Sequence, residues 1–144
     1  MGAGWYVARE REMPGVSGVL PNAGRALTFA QHHFDEIARS LGMPLLKEFF
    51  SADPAAVAAY LREHGVTKDA EELAVEEWYD PADILPTVRA ILERLHDPPV
   101  GLGQIEKVRE DLAAMISILT AAAEQGVRVH IATGLAEDIG EPHH

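Results

Sequence analysis

The chain has 144 residues, 47% of them hydrophobic and 24% charged, which is the size and composition of a single globular domain. The absence of cysteine excludes disulfide scaffolds, thiolate metal sites and cysteine nucleophiles, and it favours a reducing, cytoplasmic location. A net charge of −11, with 12 scattered basic residues, predicts no binding to nucleic acid or to an anionic membrane surface. No run approaches the roughly 18 apolar residues that a membrane span requires, and the first residues predict no secretory signal.

The first predicted elements are a short strand and a helix. Residues Trp5 to Ala8 are aromatic and β-favouring, which predicts an N-terminal strand. Asn22 is predicted to cap a helix that ends at Gly42, because apolar residues between these two positions recur every three or four residues. Pro44 is predicted to start a brief turn of helix.

Two Asp-Pro pairs predict the next helix starts, since aspartate is a favoured N-cap and proline is favoured at the first helical position. Asp53-Pro54 opens a helix that ends before Gly65, and Asp80-Pro81 opens another. Pro86 lies early in this second helix, which predicts either a later start near Leu85 or a kink.

The last predicted elements are a long helix over about Gln104 to Gln125 and a strand over Val127 to Ile131, whose apolar residues alternate with polar ones. Two isolated strands are marginal alone, so they are predicted to pair with each other. The predicted fold is α+β: a mostly helical single domain over residues 1–134, with a small sheet that pairs the N-terminal and C-terminal strands. Residues 135–144 are predicted to form a flexible tail.

A two-stranded sheet leaves each strand with one side that lacks a partner strand. Unpaired N–H and C=O groups along such an edge invite a second chain. This predicts association through the strands, as a homodimer.

Two histidine patterns have the spacing of chemical sites. Glu93 and His96 match a di-iron ligand pair, but the pattern occurs once, and the alternative is a histidine favoured by the dipole at a helix C-terminus. His32 and His33 lie within one turn of Glu36, as a proton-transfer pair or metal site requires, and the alternative is a solvated helix face. Because neither pattern is complete, we predict no metal and no cofactor.

Nucleotide and hydrolase motifs are incomplete as well. Residues 101–104 are glycine-rich and precede a helix, and helix N-termini bind phosphate, but the third glycine and the preceding strand of a dinucleotide fingerprint are missing. None of the four serines lies in a Gly-x-Ser-x-Gly motif. The sequence therefore indicates a binding role more than an enzymatic one, with no catalytic residues assigned.

The segment Asp69 to Asp80 carries six carboxylates and no basic residue, with apolar and aromatic residues interleaved. To bind a basic protein, an acidic surface needs charge that steers the partner and aromatic anchors that hold it. The predicted binding residues are Glu71, Glu72, Glu76, Glu77, Trp78 and Tyr79. The alternatives are a solvated loop and, for the two aromatic residues, a staple that precedes the next helix.

Several of these features resemble the YfbM-like group of uncharacterised bacterial proteins. The matching features are Trp78-Tyr-Asp-Pro at a helix start, a long helix ending Ala123-Glu-Gln-Gly126, the strand Val127-Arg-Val-His-Ile131 and the N-terminal Trp5-Tyr-Val. The likeness covers the C-terminal half and a few N-terminal residues, whereas Asn22 to Gly65 departs from it. The resemblance implies an α+β fold, no established catalytic residues and, by analogy, an immunity-type role.

The resulting hypothesis is a non-enzymatic binding domain whose acidic face engages a basic protein, in its strongest version as an immunity-type inhibitor. The alternative is an enzyme or metal-binding protein that uses histidines of the helical region.

Overall fold

A two-stranded antiparallel sheet joins the two ends of the chain. The computed structural model describes residues 3–68, 73 and 75–135. Strand β1 (Ala3–Arg9) pairs with strand β2 (Val129–Leu135), with Val7 opposite Ile131. This confirms the predicted α+β fold and the pairing of the N-terminal and C-terminal strands.

In the sequence, the helices come between the two strands. In the described part of the chain they are α1 (Arg25–Leu41), a 3-10 helix (Leu46–Phe49), α2 (Pro54–Glu63), α3 (Pro81–Arg94) and α4 (Ile105–Gln125). None of them combines the length and apolar character that crossing a membrane requires.

The Asp-Pro and glycine signals mark real helix ends. Asp53 and Asp80 each accept the backbone N–H two residues further on, at 3.0 and 2.9 Å. Gly42 and Gly126 end α1 and α4 with φ of 67° in both cases, a conformation that glycine adopts without steric cost. The alternative of a start near Leu85 is wrong, because α3 begins at Pro81 and continues through Pro86.

The predicted cap of α1 is wrong. Gly24 is the N-cap residue, and the helix starts at Arg25. Asn22 instead donates its backbone N–H to Oδ1 of Asp111 in α4, at 2.8 Å. A tertiary partner has therefore taken the residue that local preference assigned to the cap.

The predicted bounds of the second strand are also wrong. β2 begins two residues later than expected, because the N–H of Val127 donates to the carbonyl of Ala122 and completes the end of α4. The strand continues to Leu135, where a tail was predicted to begin. Residues 136–144 of the predicted tail lie outside the described residues.

A close-fitting loop covers the outer side of β1. The N–H of Trp5 donates to the carbonyl of Gly24 at 3.2 Å, and that of Val7 donates to Gly18 at 2.9 Å. A Cβ atom at Gly18 would lie 2.0 Å from the Val7 oxygen, and one at Gly24 would lie 2.2 Å from the Trp5 oxygen. Only glycine permits this approach.

Two other segments cover the outer side of β2. Tyr79 and Val129 exchange backbone hydrogen bonds of 2.8 and 2.9 Å, and the N–H of Ser51 donates to the carbonyl of Ile131 at 3.1 Å. Parts of both outer edges are thus hydrogen-bonded within the chain, which leaves less free edge for a homodimer through the strands than the sequence predicted. The homodimer itself stays a prediction.

The core forms where α1, α3 and α4 meet the sheet. Trp5 is fully buried, and its ring packs edge-on against Phe34 of α1 and Phe50 beside the sheet, with ring centroids 5.8 and 4.9 Å apart. Helix α2 differs from the others, since Ala58 is its one buried residue. Three α-helices and the 3-10 helix therefore contribute to the core, while α2 lies largely outside it.

Candidate functional site

The predicted acidic segment returns to the sheet at its C-terminal end. Glu71 and Glu72 lie outside the described residues. Glu77 is exposed, and its backbone N–H donates to Oγ of Ser51 at 2.7 Å. The chain thus leaves the sheet after Ser51 and is bonded back to the same residue at Glu77.

We call residues 52–76 the arm; positions 69–72 and 74 of it are not described. Both ends of the arm adjoin β2, through Phe50 paired with Ile131 and Tyr79 paired with Val129. Among its described residues only Ala58 is buried. The described part of the arm is therefore fixed at its base and largely solvent-exposed elsewhere.

Glu76 and His130 form the central contact at the base of the arm. Nε2 of His130 lies 2.7 Å from Oε2 of Glu76, and Nδ1 lies 3.1 Å from the carbonyl oxygen of Ile131. The histidine is 1% exposed. Both ring nitrogens thus lie within hydrogen-bonding distance of an oxygen atom, and Glu76 serves as an internal partner of the fold.

The burial of His130 differs from the sequence expectation. The alternation in β2 assigned His130 to the solvent face with Arg128, and Arg128 is indeed exposed. The returning segment covers His130 instead, and the Trp78 ring lies 4.6 Å from the imidazole. Sequence reasoning missed this residue, since no signal in β2 itself reveals what covers it.

The two predicted aromatic anchors pack at the same base and are each half-buried. Tyr79 makes its backbone bonds to Val129, and its ring meets Phe49 edge-on with centroids 5.4 Å apart. Trp78 lies against His130. Both residues hold the end of the arm, while their exposed parts remain on the surface.

An ion pair lies just before the first residue of β2. Arg128 donates from its backbone N–H and from Nε to the two carboxylate oxygens of Glu10, both at 3.0 Å. The side-chain hydrogen bond from Arg128, followed by the backbone one, lowers the pKa of the Glu10 carboxyl below its ordinary value of 4.5. The same bond raises the pKa of Arg128.

The histidine patterns occupy separate places. Glu93 and His96 are both exposed at the end of α3. His33 is buried in α1, whereas Glu36 Oε1 lies 4.0 Å from its Nδ1 and is exposed. Within residues 3–68, 73 and 75–135, no three side chains of His, Asp or Glu are grouped closely enough to hold a metal ion.

A groove separates the first half of α1 from the start of α4. It consists of two adjoining cavities of about 120 and 330 Å³ that share Ala26, Phe29 and Gln104. His32 and His33 line the smaller cavity together with residues 101–104. The structure therefore brings together the histidine pair and the glycine-rich segment that the sequence presented as unrelated.

Comparisons with known protein families, with curated proteins and with solved structures each find no match. The resemblance to the YfbM-like group stays a prediction.

Proposed function

We propose that this chain is a non-enzymatic binding domain that presents its arm, with the adjoining Glu77, to a basic protein. The observation that carries the proposal is the contrast between the fixed base of the arm and the exposure of most of its other described residues. A contact surface of this kind is held in place by the rigid scaffold and leaves its side chains free to bind.

The arm offers apolar residues that the fold does not use. Tyr60 is 55% exposed, Val66 is 42% exposed and Val75 is 76% exposed. Single exposed apolar residues are ordinary on a protein surface. Three of them in one largely unburied segment supply the apolar anchors that a partner surface desolvates.

Charge complementarity defines the partner. The sequence from Asp69 to Asp80 holds six carboxylates and no basic residue. Of these, Glu76 is engaged by His130, so Glu77 and the carboxylates before Glu76 carry the proposed attraction. Complementary charge speeds encounter with a basic partner and repels acidic ones.

The sharpest form of the proposal is an immunity-type inhibitor acting in the cytoplasm, a location that a chain without cysteine favours. In that form, adding the purified chain to its captured basic partner abolishes the partner's activity. A partner that stays fully active in the complex would leave a binding role and remove the inhibitory one.

The test compares two sets of glutamine variants with equal loss of negative charge. The arm set replaces Glu71, Glu72 and Glu77 and keeps the Glu76–His130 contact. The control set replaces the carboxylates Glu12, Glu93 and Glu124, all exposed and all outside the arm. A partner is first captured from the native lysate, and its association rate is then measured with purified proteins at low and moderate salt.

We expect the arm set to slow association about tenfold or more at low salt and to flatten its salt dependence. The control set should have little effect. Equal slowing by both sets would assign the attraction to net charge, and equal binding by all three proteins would make the arm a solvated loop.

A second pair of variants tests the apolar anchors. Val75→Ser should weaken the complex mainly by faster dissociation, since a buried contact is lost. Val100→Ser is the matched control, because Val100 is 99% exposed and lies outside the arm. Equal affinities of the two variants would contradict a role for Val75.

A further inference from the structure

We propose that the groove between α1 and α4 binds a small organic anion, a molecule with a phosphate or carboxylate group and an apolar part. This site uses none of the arm's residues and does not depend on the proposed protein partner. Its support comes from the charge of the groove lining, from the helix end that borders it and from a buried histidine.

The lining of the groove reverses the charge balance of the chain. The sequence has 23 acidic and 12 basic residues, yet the described lining contains Arg25, Lys107, His32 and His33 and no carboxylate. The nearby carboxylate Glu110 is engaged by Nδ2 of Asn22 at 3.0 Å. Arg25 and Lys107 therefore give the groove lining a positive charge on an acidic protein, and this charge favours an anion.

The start of α4 adds backbone donors to this environment. Gln104 is the N-cap residue of α4, and no side chain caps the helix there. It lines both cavities. The first N–H groups of a helix lack intrahelical partners, and the helix dipole favours negative charge at this end.

His33 is the independent observation that points to a ligand. It is 8% exposed and lines the smaller cavity. Its Nδ1 atom has no hydrogen-bond partner among the described residues, and Glu36 Oε1, at 4.0 Å, is beyond hydrogen-bonding distance. Buried polar groups in folded proteins are almost always paired, so the unpartnered Nδ1 of His33 marks a place beside the smaller cavity where a polar partner is missing.

Phe29 gives the groove an apolar wall. Its side chain is 72% exposed and lines both cavities. An anion without an apolar part would leave this ring in water, whereas an organic anion covers it. The larger cavity, about 330 Å³, is of the size of small-molecule sites.

The test is a titration of the full chain with small anions at constant ionic strength. Binding is monitored by calorimetry and by NMR of backbone amides and histidine rings. The probes are inorganic phosphate, phenyl phosphate, acetate and phenylacetate. We expect saturable binding of a phenyl probe, with shifts at the His33 ring and at the amides of Ile105 and Glu106. Comparing the affinities of the phosphate probes with those of the carboxylate probes then identifies the acid group that the groove prefers.

Matched charge variants decide whether the groove is responsible. Arg25→Gln with Lys107→Gln should weaken binding about tenfold or more, because both exposed cations line the groove. Arg39→Gln with Lys47→Gln removes the same charge at exposed positions elsewhere and should leave affinity unchanged. No shift at His33 with any probe at about 10 mM, or equal weakening by both pairs, would overturn the proposal.

Discussion

Asp111 is the residue that most directly shapes the backbone around it. It is fully buried and accepts the backbone N–H groups of Asn22 at 2.8 Å and Gly24 at 3.0 Å. Ala23 and Gly24 both have positive φ, and the N–H groups of Asn22 and Gly24, on either side of the Ala23 N–H, point to the same carboxylate. A carboxylate in the middle of α4 therefore holds the loop that covers β1.

Replacing Asp111 tests this role. Asp111→Ala leaves two backbone donors without an acceptor in a buried place, and we expect it to lower the free energy of unfolding by about 2–4 kcal/mol. The measurement is urea denaturation. The neighbouring Glu110→Ala is the control, since it removes a single contact, the one to Asn22. Similar losses in the two variants would mean that Asp111 does not hold the loop.

The Glu10–Arg128 pair makes stability depend on pH. The pKa of Glu10 is lowered in the folded state, so the pair stabilises the fold above the ordinary carboxyl value of 4.5 and loses this contribution as pH falls through the lowered pKa. We expect wild type to be more stable than Glu10→Gln at neutral pH, with the difference shrinking in acid. Denaturation across this range measures it, with exposed Glu12→Gln as control. A difference that grows as pH falls would contradict the assignment.

Among the elements, the base of the arm joins segments that are far apart in the sequence. The Glu76–His130 contact links residues 54 positions apart and fixes the C-terminal end of the arm beside β2. Tyr79 extends the same attachment through its backbone bonds to Val129. The position of the arm therefore depends on one buried polar contact and a short stretch of strand-like pairing.

A double-mutant cycle measures the strength of the Glu76–His130 contact. We expect Glu76→Gln and His130→Gln to be coupled by about 1–3 kcal/mol in urea denaturation. Each single variant should speed hydrogen exchange at the Tyr79 amide, because the base of the arm opens more often. Glu77→Gln, an exposed neighbour, should change neither quantity. Additive effects of the two variants would show that the contact contributes nothing.

The first and last strands of the fold are neighbours. The molecule as a whole carries a large excess of negative charge. A net charge of −11 destabilises the compact state through self-repulsion. The carboxylates of residues 69–80 contribute to that repulsion, while exposed ion pairs compensate little. Screening by salt should therefore stabilise the protein.

Removing carboxylates of residues 69–80 should raise the melting temperature. The arm set of glutamine variants should melt about 1–4 °C higher than wild type at low salt, since repulsion is relieved. The gap should close as salt is added. Thermal unfolding followed by circular dichroism tests this. A lower melting temperature of the arm set at every salt concentration would mean that these carboxylates make stabilising contacts in the fold.

The sequence alone predicted the features whose causes are local. The helix starts at Asp53 and Asp80 and the helix ends at Gly42 and Gly126 depend on bonds within a few residues, and all four were predicted correctly. The two strands were recognised from their apolar patterns, and their pairing followed because neither had another partner. These signals sufficed for the α+β fold.

Tertiary structure decided the features whose causes are distant. Asn22 does not cap α1 as predicted, because its backbone N–H binds Asp111, 89 positions away. His130 is buried because the C-terminal end of the arm covers it. The groove lining likewise joins His33 to residues 101–104, which are far from it in sequence. Propensity and periodicity report only on near neighbours, whereas burial and unpartnered polar atoms depend on which segments the fold brings together, and in this protein those contacts define both candidate sites.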